Sequence, residues 1–223
     1  DAMPLFRNNT DDAPRPYDPY LDDDLYRPVD READLPDLTV TGQLPDDLVG
    51  TFAQIGPNPQ YKTPNYNWFD GDGMIHGVKF TPGLAPRYLS KQVDTAARRR
   101  ERSAGKSLHT GLNSPFSLQN FSSLRHGEFL KNTANTALVP FRQQLLATWY
   151  GGARPYNLNP EDFSTLGQED FHGTMKRGMI AHPKIDPQTG ELIYLDRSFV
   201  SSLVSKTIYH QVVKPSGEAA TPI

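Results

Sequence analysis

Histidine is the residue type in this sequence that is best suited to catalysis or metal binding. The chain has six histidines and no cysteine, so a transition-metal site would have to use imidazole and carboxylate ligands, which suit iron, copper or zinc. No two histidines have the spacing His-x-His or His-x-x-x-His, so a site with several imidazoles must be assembled from separate segments. From the pattern alone, each is more often a structural or surface residue: His76, His109, His126, His172, His182 and His210.

His182 has the most informative surroundings of the six. It stands directly before Pro183, and a proline biases the preceding residue away from helix and toward extended backbone. A histidine at the inner end of a strand is how a propeller presents a ligand to its axis. His76, by contrast, has apolar neighbours, which favour a buried, hydrogen-bonded imidazole over a ligand.

Two carboxylates alternate with glycines in the run from Asp70 to Gly73. As a pair, Asp70 and Asp72 could bind calcium or serve acid–base chemistry in a hydrolase. The calcium-loop pattern needs a third ligand two residues further on, where Met74 stands instead. The favoured interpretation is therefore a turn, with glycines at positive φ and aspartates that cap the backbone.

Composition favours short strands joined by tight turns. The 223 residues include 17 Gly and 20 Pro, which disfavours long helices. No apolar stretch is long enough to span a membrane, and no signal peptide is visible. The predicted strands are Val49–Ile55, Ile75–Thr81, Arg87–Thr95, Thr136–Val139, Gln144–Tyr150, Gly178–Ile185, Leu192–Phe199 and Lys206–Val213.

Three regions depart from this pattern of strands. Residues 1–38 carry 11 acidic and 4 basic side chains and several prolines, which predicts an extended arm laid over a surface or a disordered one. The basic cluster between Arg98 and Lys106 is interpreted as a solvated loop, and nothing in it favours nucleic-acid binding. The segment Ser114–Leu130 is predicted to hold a short helix whose apolar positions are Phe116, Leu118, Phe121 and Leu124.

Four blocks of sequence, in order, resemble the carotenoid cleavage oxygenase family. They run from Gly42 to Pro59, from Trp68 to Gly77, from Ala134 to Trp149, and from Ala181 to Leu192. The family includes carotenoid and apocarotenoid dioxygenases, stilbene-cleaving dioxygenases and the retinal isomerase. The resemblance implies an all-β fold: part of a seven-bladed β-propeller, unclosed in this chain, with an extended N-terminal arm over residues 1–38, truncated blades over 39–223, and a short helical cap segment.

The resemblance also implies a site of four histidines that bind Fe(II). By position, His182 matches the first of these ligands, whereas the other three are expected beyond Ile223, so this chain is expected to be an inactive N-terminal fragment. Tyr150 stands where the family usually has a glutamate that orients a ligand imidazole. Phe116, Phe121 and Trp149 are candidates for the substrate tunnel or cap. Stilbene-cleaving members of the family tend to have lysine at the position of Trp149, so the tryptophan favours a carotenoid substrate.

The function that the resemblance implies is oxygenation of an apolar alkene. We expect a non-haem Fe(II) dioxygenase that uses O2 to cleave a C=C bond of a carotenoid or apocarotenoid into two carbonyl products. The alternatives are an inactive propeller-type protein that binds apolar ligands, and a stilbene-cleaving dioxygenase. We further expect a cytoplasmic protein that touches a membrane peripherally, through the region 114–130, without spanning it.

Overall fold

Three antiparallel sheets are the main regular structure of the computed structural model, which describes residues 17, 23, 26–61, 63, 66–218 and 220. The first sheet has the strand order β1-β4-β3-β2, the second β5-β6-β7-β8, and the third β11-β10-β9. The strands are β1 Ala33–Leu35, β2 Gly50–Pro57, β3 Gly73–Phe80, β4 Arg87–Gln92, β5 Ala137–Phe141, β6 Gln144–Thr148, β7 Tyr156–Leu158, β8 Thr165–Gln168, β9 Lys184–Ile185, β10 Leu192–Asp196 and β11 Tyr209–Val213.

Short helices occupy the segments between the sheets. The α-helices are α1 Ala96–Ala104, α2 Leu118–Ser123 and α3 Phe199–Val204, and 3-10 turns cover Trp68–Asp70 and Leu124–His126. The short helix predicted within Ser114–Leu130 is therefore confirmed. Within the described part of the chain, no helix is long and apolar enough to cross a bilayer.

Each sheet packs against the next one along the chain. Alternate residues of a strand point to opposite faces, and the second sheet uses both of its faces. Val139 and Leu146 pack toward the third sheet, against Leu192 and Val213. Ala147 packs toward the first sheet, in a cluster with Ile75, Leu89, Tyr156, Leu158 and Phe163. This consecutive face-to-face stacking is that of successive blades, and the all-β prediction of a partial propeller is confirmed.

Local turn chemistry accounts for the hairpins. Arg142 and Gln143 have φ of 53° and 61°, the backbone that a two-residue turn needs if it is to match the twist of β5 and β6. The amide of Gly190 donates to the carbonyl of Asp186, and Gly217 donates to Lys214, so the turns predicted before β10 and after β11 are present.

The basic cluster is a helix, and its prediction as a solvated loop is wrong. Thr95 caps α1 by accepting a hydrogen bond from the Arg98 amide at 3.1 Å, and Gly105 ends the helix with φ of 67°. The buried residues of α1 are Ala97, Arg98 and Glu101. Because two of these three are charged, the helix has no apolar stripe that its sequence could reveal.

Several strand boundaries also differ from prediction. The segment predicted as a strand from 178 to 185 forms only β9 and an isolated bridge at Met179. The strand predicted up to Phe199 ends at Asp196, because Ser198 caps α3 by accepting from the Ser201 amide. Within the predicted arm, β1 pairs with β4, and Asp34 forms an ion pair with Arg87. Residues 1–16 of that arm, and most of 18–25, lie outside the described residues.

Close approach, rather than unusual backbone, explains the glycines beside Asp70 and Asp72. Gly71 has φ of −63°, so the prediction of positive φ is wrong. A Cβ at Gly71 would lie 2.7 Å from the Pro57 side chain, and one at Gly73 would overlap the Ala134 carbonyl oxygen. Glycine therefore lets β3 begin directly against the segment that leads into β5.

Replacing Gly73 by alanine tests this contact between the first two sheets. We expect Gly73→Ala to lower the free energy of unfolding by about 1–3 kcal/mol, because the obstacle is a backbone carbonyl that cannot rotate away. Gly56→Ala is the matched control, since a Cβ there meets nothing within 4 Å, and its effect should stay within about 0.5 kcal/mol. Urea unfolding measures both, and equal effects would contradict the packing argument.

Candidate functional site

A network of buried charges lies where the first two sheets approach each other. The Lys131 Nζ lies 2.8 Å from Asp72 Oδ1 and 2.5 Å from Glu101 Oε2. The other oxygen of Glu101 accepts from the Leu108 amide at 2.9 Å and lies 3.2 Å from His109 Nδ1. Glu101 is 0% exposed and Asp72 is 1% exposed. One lysine thus joins the start of β3, the helix α1 and the segment before β5.

The pKa values follow from competition between burial and charge. Burial alone would raise the pKa of Glu101, but Lys131, His109 and the Leu108 amide together lower it to about 2. Burial alone would lower the pKa of Lys131, but Asp72 and Glu101 raise it above its ordinary value. Both groups are therefore charged at neutral pH. An ionised Glu101 only accepts hydrogen bonds, so His109 Nδ1 carries the proton between them.

Asp70 and Asp72 have different structural roles and do not form a carboxylate pair for catalysis. Asp70 accepts hydrogen bonds from the Asn67 amide at 3.2 Å and from the Leu112 amide at 3.0 Å, which fixes two loops. Burial raises the pKa of Asp70. Asp72 binds Lys131 and accepts from the Gln60 amide at 3.0 Å. The capping role predicted for the aspartates is confirmed.

Aromatic side chains collect around Trp149 and Tyr150, directly after β6. The ring centroids of Trp149 and Tyr150 are 5.5 Å apart, and Phe69 lies 5.6 Å from Tyr150. Trp149 is 6% exposed and shares a hydrophobic cluster with Phe129 and Leu130. The ring of Trp149 covers Gly151, where any side chain would overlap the indole. The result is a rigid apolar wall.

The hydroxyl of Tyr150 is buried and makes no hydrogen bond with the described residues. Burial, and then the charge of Asp70, raise the pKa of Tyr150. In this chain the side chain therefore acts as an aromatic group and not as a hydrogen-bonding one.

Phe116 and Phe121 lie on an exposed apolar patch formed by α2 and the segment before it. Their exposures are 61% and 50%, and Leu118 is 89% exposed. Both rings contact Phe129, at 5.9 Å and 5.2 Å, and Phe129 stacks on Phe199 of α3. Phe129 itself is buried. It connects the patch to Trp149.

Two spaces border this aromatic cluster. A groove of about 500 Å³ is lined by Phe129, Trp149 and Phe199, with Arg154 and Arg177 among its polar residues. On the other side of Trp149, a cavity of about 20 Å³ is bordered by residues that include Phe69, His109, Lys131 and Thr133. The groove is within the size range of small-molecule sites, whereas the cavity is not.

His182 lies in the loop that leads into β9, far along the chain from these aromatic residues. It is exposed and precedes β9, which pairs only with β10. Its φ is 67°, so the extended backbone predicted from Pro183 is wrong. Non-glycine residues adopt this conformation rarely, and it costs on the order of 1 kcal/mol where surrounding structure imposes it.

The remaining titratable candidates have structural roles. His76 Nδ1 lies 2.6 Å from the Tyr88 hydroxyl, and burial lowers the pKa of His76, as the prediction of a hydrogen-bonded imidazole requires. Among the described residues, no group of three His, Asp or Glu side chains could hold a metal ion. These residues therefore do not fit the complete iron site that the resemblance implies.

Comparison with known proteins shows the family to which this chain belongs. The family described as "RPE65: Retinal pigment epithelial membrane protein" matches residues 26–222. The chain belongs to the RPE65 family of carotenoid cleavage oxygenases. A pea (Pisum sativum) carotenoid 9,10(9′,10′)-cleavage dioxygenase 1 is 36% identical over 89% of this chain and 38% of its own length. The isoeugenol monooxygenase of Pseudomonas nitroreducens is 33% identical over 84% of the chain and 38% of its own length.

Solved structures of carotenoid cleavage oxygenases share the fold. The lignostilbene dioxygenase of Pseudomonas brassicacearum has a TM-score of 0.78 and 29% identity, covering 95% of this chain and 43% of that one. The chain thus spans about two fifths of the length of the relatives it matches. His182 is exposed in this chain, and its role as an iron ligand stays a prediction.

The most important polar residues of the site were absent from the sequence-based prediction. Glu101, His109 and Lys131 are spread over 31 residues and have no motif in common. The one available signal is Glu101 itself, the only acidic residue in the basic run from Arg98 to Lys106. An acidic residue at this place suggests that its carboxylate pairs with a basic side chain, but the sequence does not show that this side chain is Lys131.

Acid titration tests the buried network. The pKa of Glu101 lies below its ordinary value of 4.5, so its stabilising effect is complete above about pH 4.5 and is lost as the pH falls toward 2. We expect this loss to be about 3 kcal/mol, and Glu101→Gln should remove it. At pH 7, Glu101→Gln should cost about 3–5 kcal/mol, because Lys131 loses a charged partner.

The control for this titration is Glu218→Gln, which changes an exposed carboxylate after β11. It should leave both the stability at pH 7 and the slope between pH 5 and pH 2 unchanged. Chemical unfolding followed by circular dichroism at several pH values measures both quantities. If Glu101→Gln kept the slope of the unmodified protein, the network would not be ionised as described.

Proposed function

We propose that this chain forms part of a non-haem Fe(II) dioxygenase that cleaves a C=C double bond of a carotenoid or apocarotenoid. In the overall reaction, both atoms of O2 enter the products, so that R–CH=CH–R′ gives R–CHO and R′–CHO. The observation that carries the proposal is the aromatic cluster around Trp149, which walls a groove of about 500 Å³ in a chain of this family. The pea relative, a carotenoid dioxygenase, supports the choice of substrate.

The contribution of this chain is proposed to be a substrate wall and one metal ligand. When bound, Fe(II) supplies the site at which O2 is activated. His182 would provide one imidazole, and its strained backbone is a feature often found at functional positions. Trp149, Phe129 and Phe199 would hold the conjugated chain by apolar contact and exclude water, so that one double bond is selected.

Two alternatives have specific support. Tyr150 stands where the family usually has a glutamate, and its hydroxyl has no hydrogen-bond partner among the described residues. Both features favour a propeller that binds an apolar ligand without catalysing a reaction on it. The isoeugenol and lignostilbene relatives favour a smaller phenylpropenoid or stilbene substrate. Incubation of the whole protein with a carotenoid and with a stilbene, followed by analysis of aldehyde products, separates the three functions.

Replacement of His182 tests the proposed ligand in the whole protein that contains this sequence. We expect His182→Ala to abolish both iron retention and carotenoid cleavage, because the site would be left with an incomplete set of ligands. His210→Ala removes an exposed imidazole from β11 and should change neither. Iron per chain and O2-dependent bleaching of the carotenoid are the measurements. Full activity of His182→Ala would refute the assignment.

Replacement of the exposed phenylalanines tests peripheral membrane contact, through which an enzyme could collect a lipid-dissolved substrate. Interfacial binding scales with buried apolar area, so Phe116→Asp with Phe121→Asp should greatly reduce co-sedimentation with liposomes. The control is Phe52→Asp, since Phe52 is 64% exposed but lies on β2, outside the patch. It should leave co-sedimentation unchanged. Equal binding by the double variant and the unmodified protein would exclude the patch as the contact.

A further inference from the structure

Four residues that border the small cavity beside Trp149 each carry a buried polar atom that has no hydrogen-bond partner among the described residues. The atoms are Trp149 Nε1, His109 Nε2, Thr133 Oγ1 and Thr63 Oγ1. Trp149 is 6% exposed, and His109 and Thr133 are each 2% exposed. A buried polar group without a hydrogen bond costs about 1–3 kcal/mol, so four around one cavity point to a ligand that can bond to several of them.

The hydrogen-bonding roles of these atoms are fixed by the charge network. Because the Nδ1 of His109 donates to the ionised Glu101, the Nε2 of a neutral His109 is an acceptor. The indole Nε1 of Trp149 is only a donor, and the hydroxyl of Thr133 can take either role. The ligand must therefore accept from Trp149 and donate to His109, which a single polar atom does only if it carries both lone pairs and hydrogens.

Cavity size selects among such ligands. The volume of about 20 Å³ is just above the 10–15 Å³ that one water needs. A buried water typically makes about three hydrogen bonds, within a range of two to four, so one water can bond to most or all of the four unpartnered atoms.

We propose that this cavity binds one water molecule, which accepts from the Trp149 indole and donates to His109 Nε2. The water links the aromatic wall of the groove to the network of Lys131, Asp72 and Glu101. His109 is then a positioning residue: its one nitrogen is held by Glu101, and its other nitrogen, through the water, fixes the rotation of the Trp149 indole. This inference concerns the wall itself and does not depend on the substrate or on iron.

Water-selective NMR of the 15N-labelled whole protein tests the proposal. The indole proton of Trp149, assigned by its loss in Trp149→Phe, should show a rotating-frame Overhauser peak to the water resonance, opposite in sign to chemical exchange. The indole of Trp68, which is 38% exposed, should show no such long-lived contact. Absence of the Trp149 peak in the unmodified protein would overturn the proposal without any variant.

Two variants of His109 then test the bridge. The amide nitrogen of His109→Asn can take the place of Nδ1 toward Glu101 while the group at Nε2 is deleted, and His109→Gln keeps a polar group near Nε2. We expect the water peak of Trp149 to be lost and its indole proton to shift upfield in His109→Asn, and both to be retained in His109→Gln. A peak that persists unchanged in His109→Asn, with Trp68 still in its native position in the spectrum, would show that the water does not bridge to His109 and would overturn the proposal.

Discussion

The double ion pair of Lys131 is the interaction on which the rest of the described structure depends. A charge buried without a partner would cost several kcal/mol, so the fold is stable only where Asp72, Glu101 and Lys131 arrive together. Their arrival fixes the start of β3, the orientation of α1 and the path into β5 at the same time. Gly73 must then be a glycine, because the ion pair draws its segment against Ala134.

The same network approaches the proposed substrate wall from behind. His109 extends it by one hydrogen bond from Glu101, and the cavity beside Trp149 lies at its far end. An aromatic ring placed only by apolar contacts can rotate or slide, since such contacts have little directionality. A wall that must distinguish between neighbouring double bonds needs a more exact orientation, and a polar anchor at the indole nitrogen is one way to provide it.

Local chemistry was predictable from the sequence, whereas long-range pairing was not. The turns at 81–84, 186–190 and 214–217 depend on neighbouring Pro, Gly and Asp residues, and all three are present. The helix α1 was missed because its buried face includes Arg98 and Glu101, which give no hydrophobic period. The strands β7 and β8 have 3 and 4 residues, too few for a detectable alternation. The family blocks led to the predictions for His182, Tyr150 and Trp149, but they could not predict the residues that surround them.

The two-sided packing of the second sheet has a consequence for how the chain opens. A sheet whose two faces are both buried cannot lose one neighbour without exposing apolar side chains, so its amides become accessible only when both adjoining interfaces have opened. Amides of β6, with Leu146 facing one neighbour and Ala147 the other, should then exchange with deuterium more slowly than those of the edge strands β1 and β11. The middle blade in this way couples the free energies of unfolding of the two outer blades, as the central unit does in a linear array of repeats.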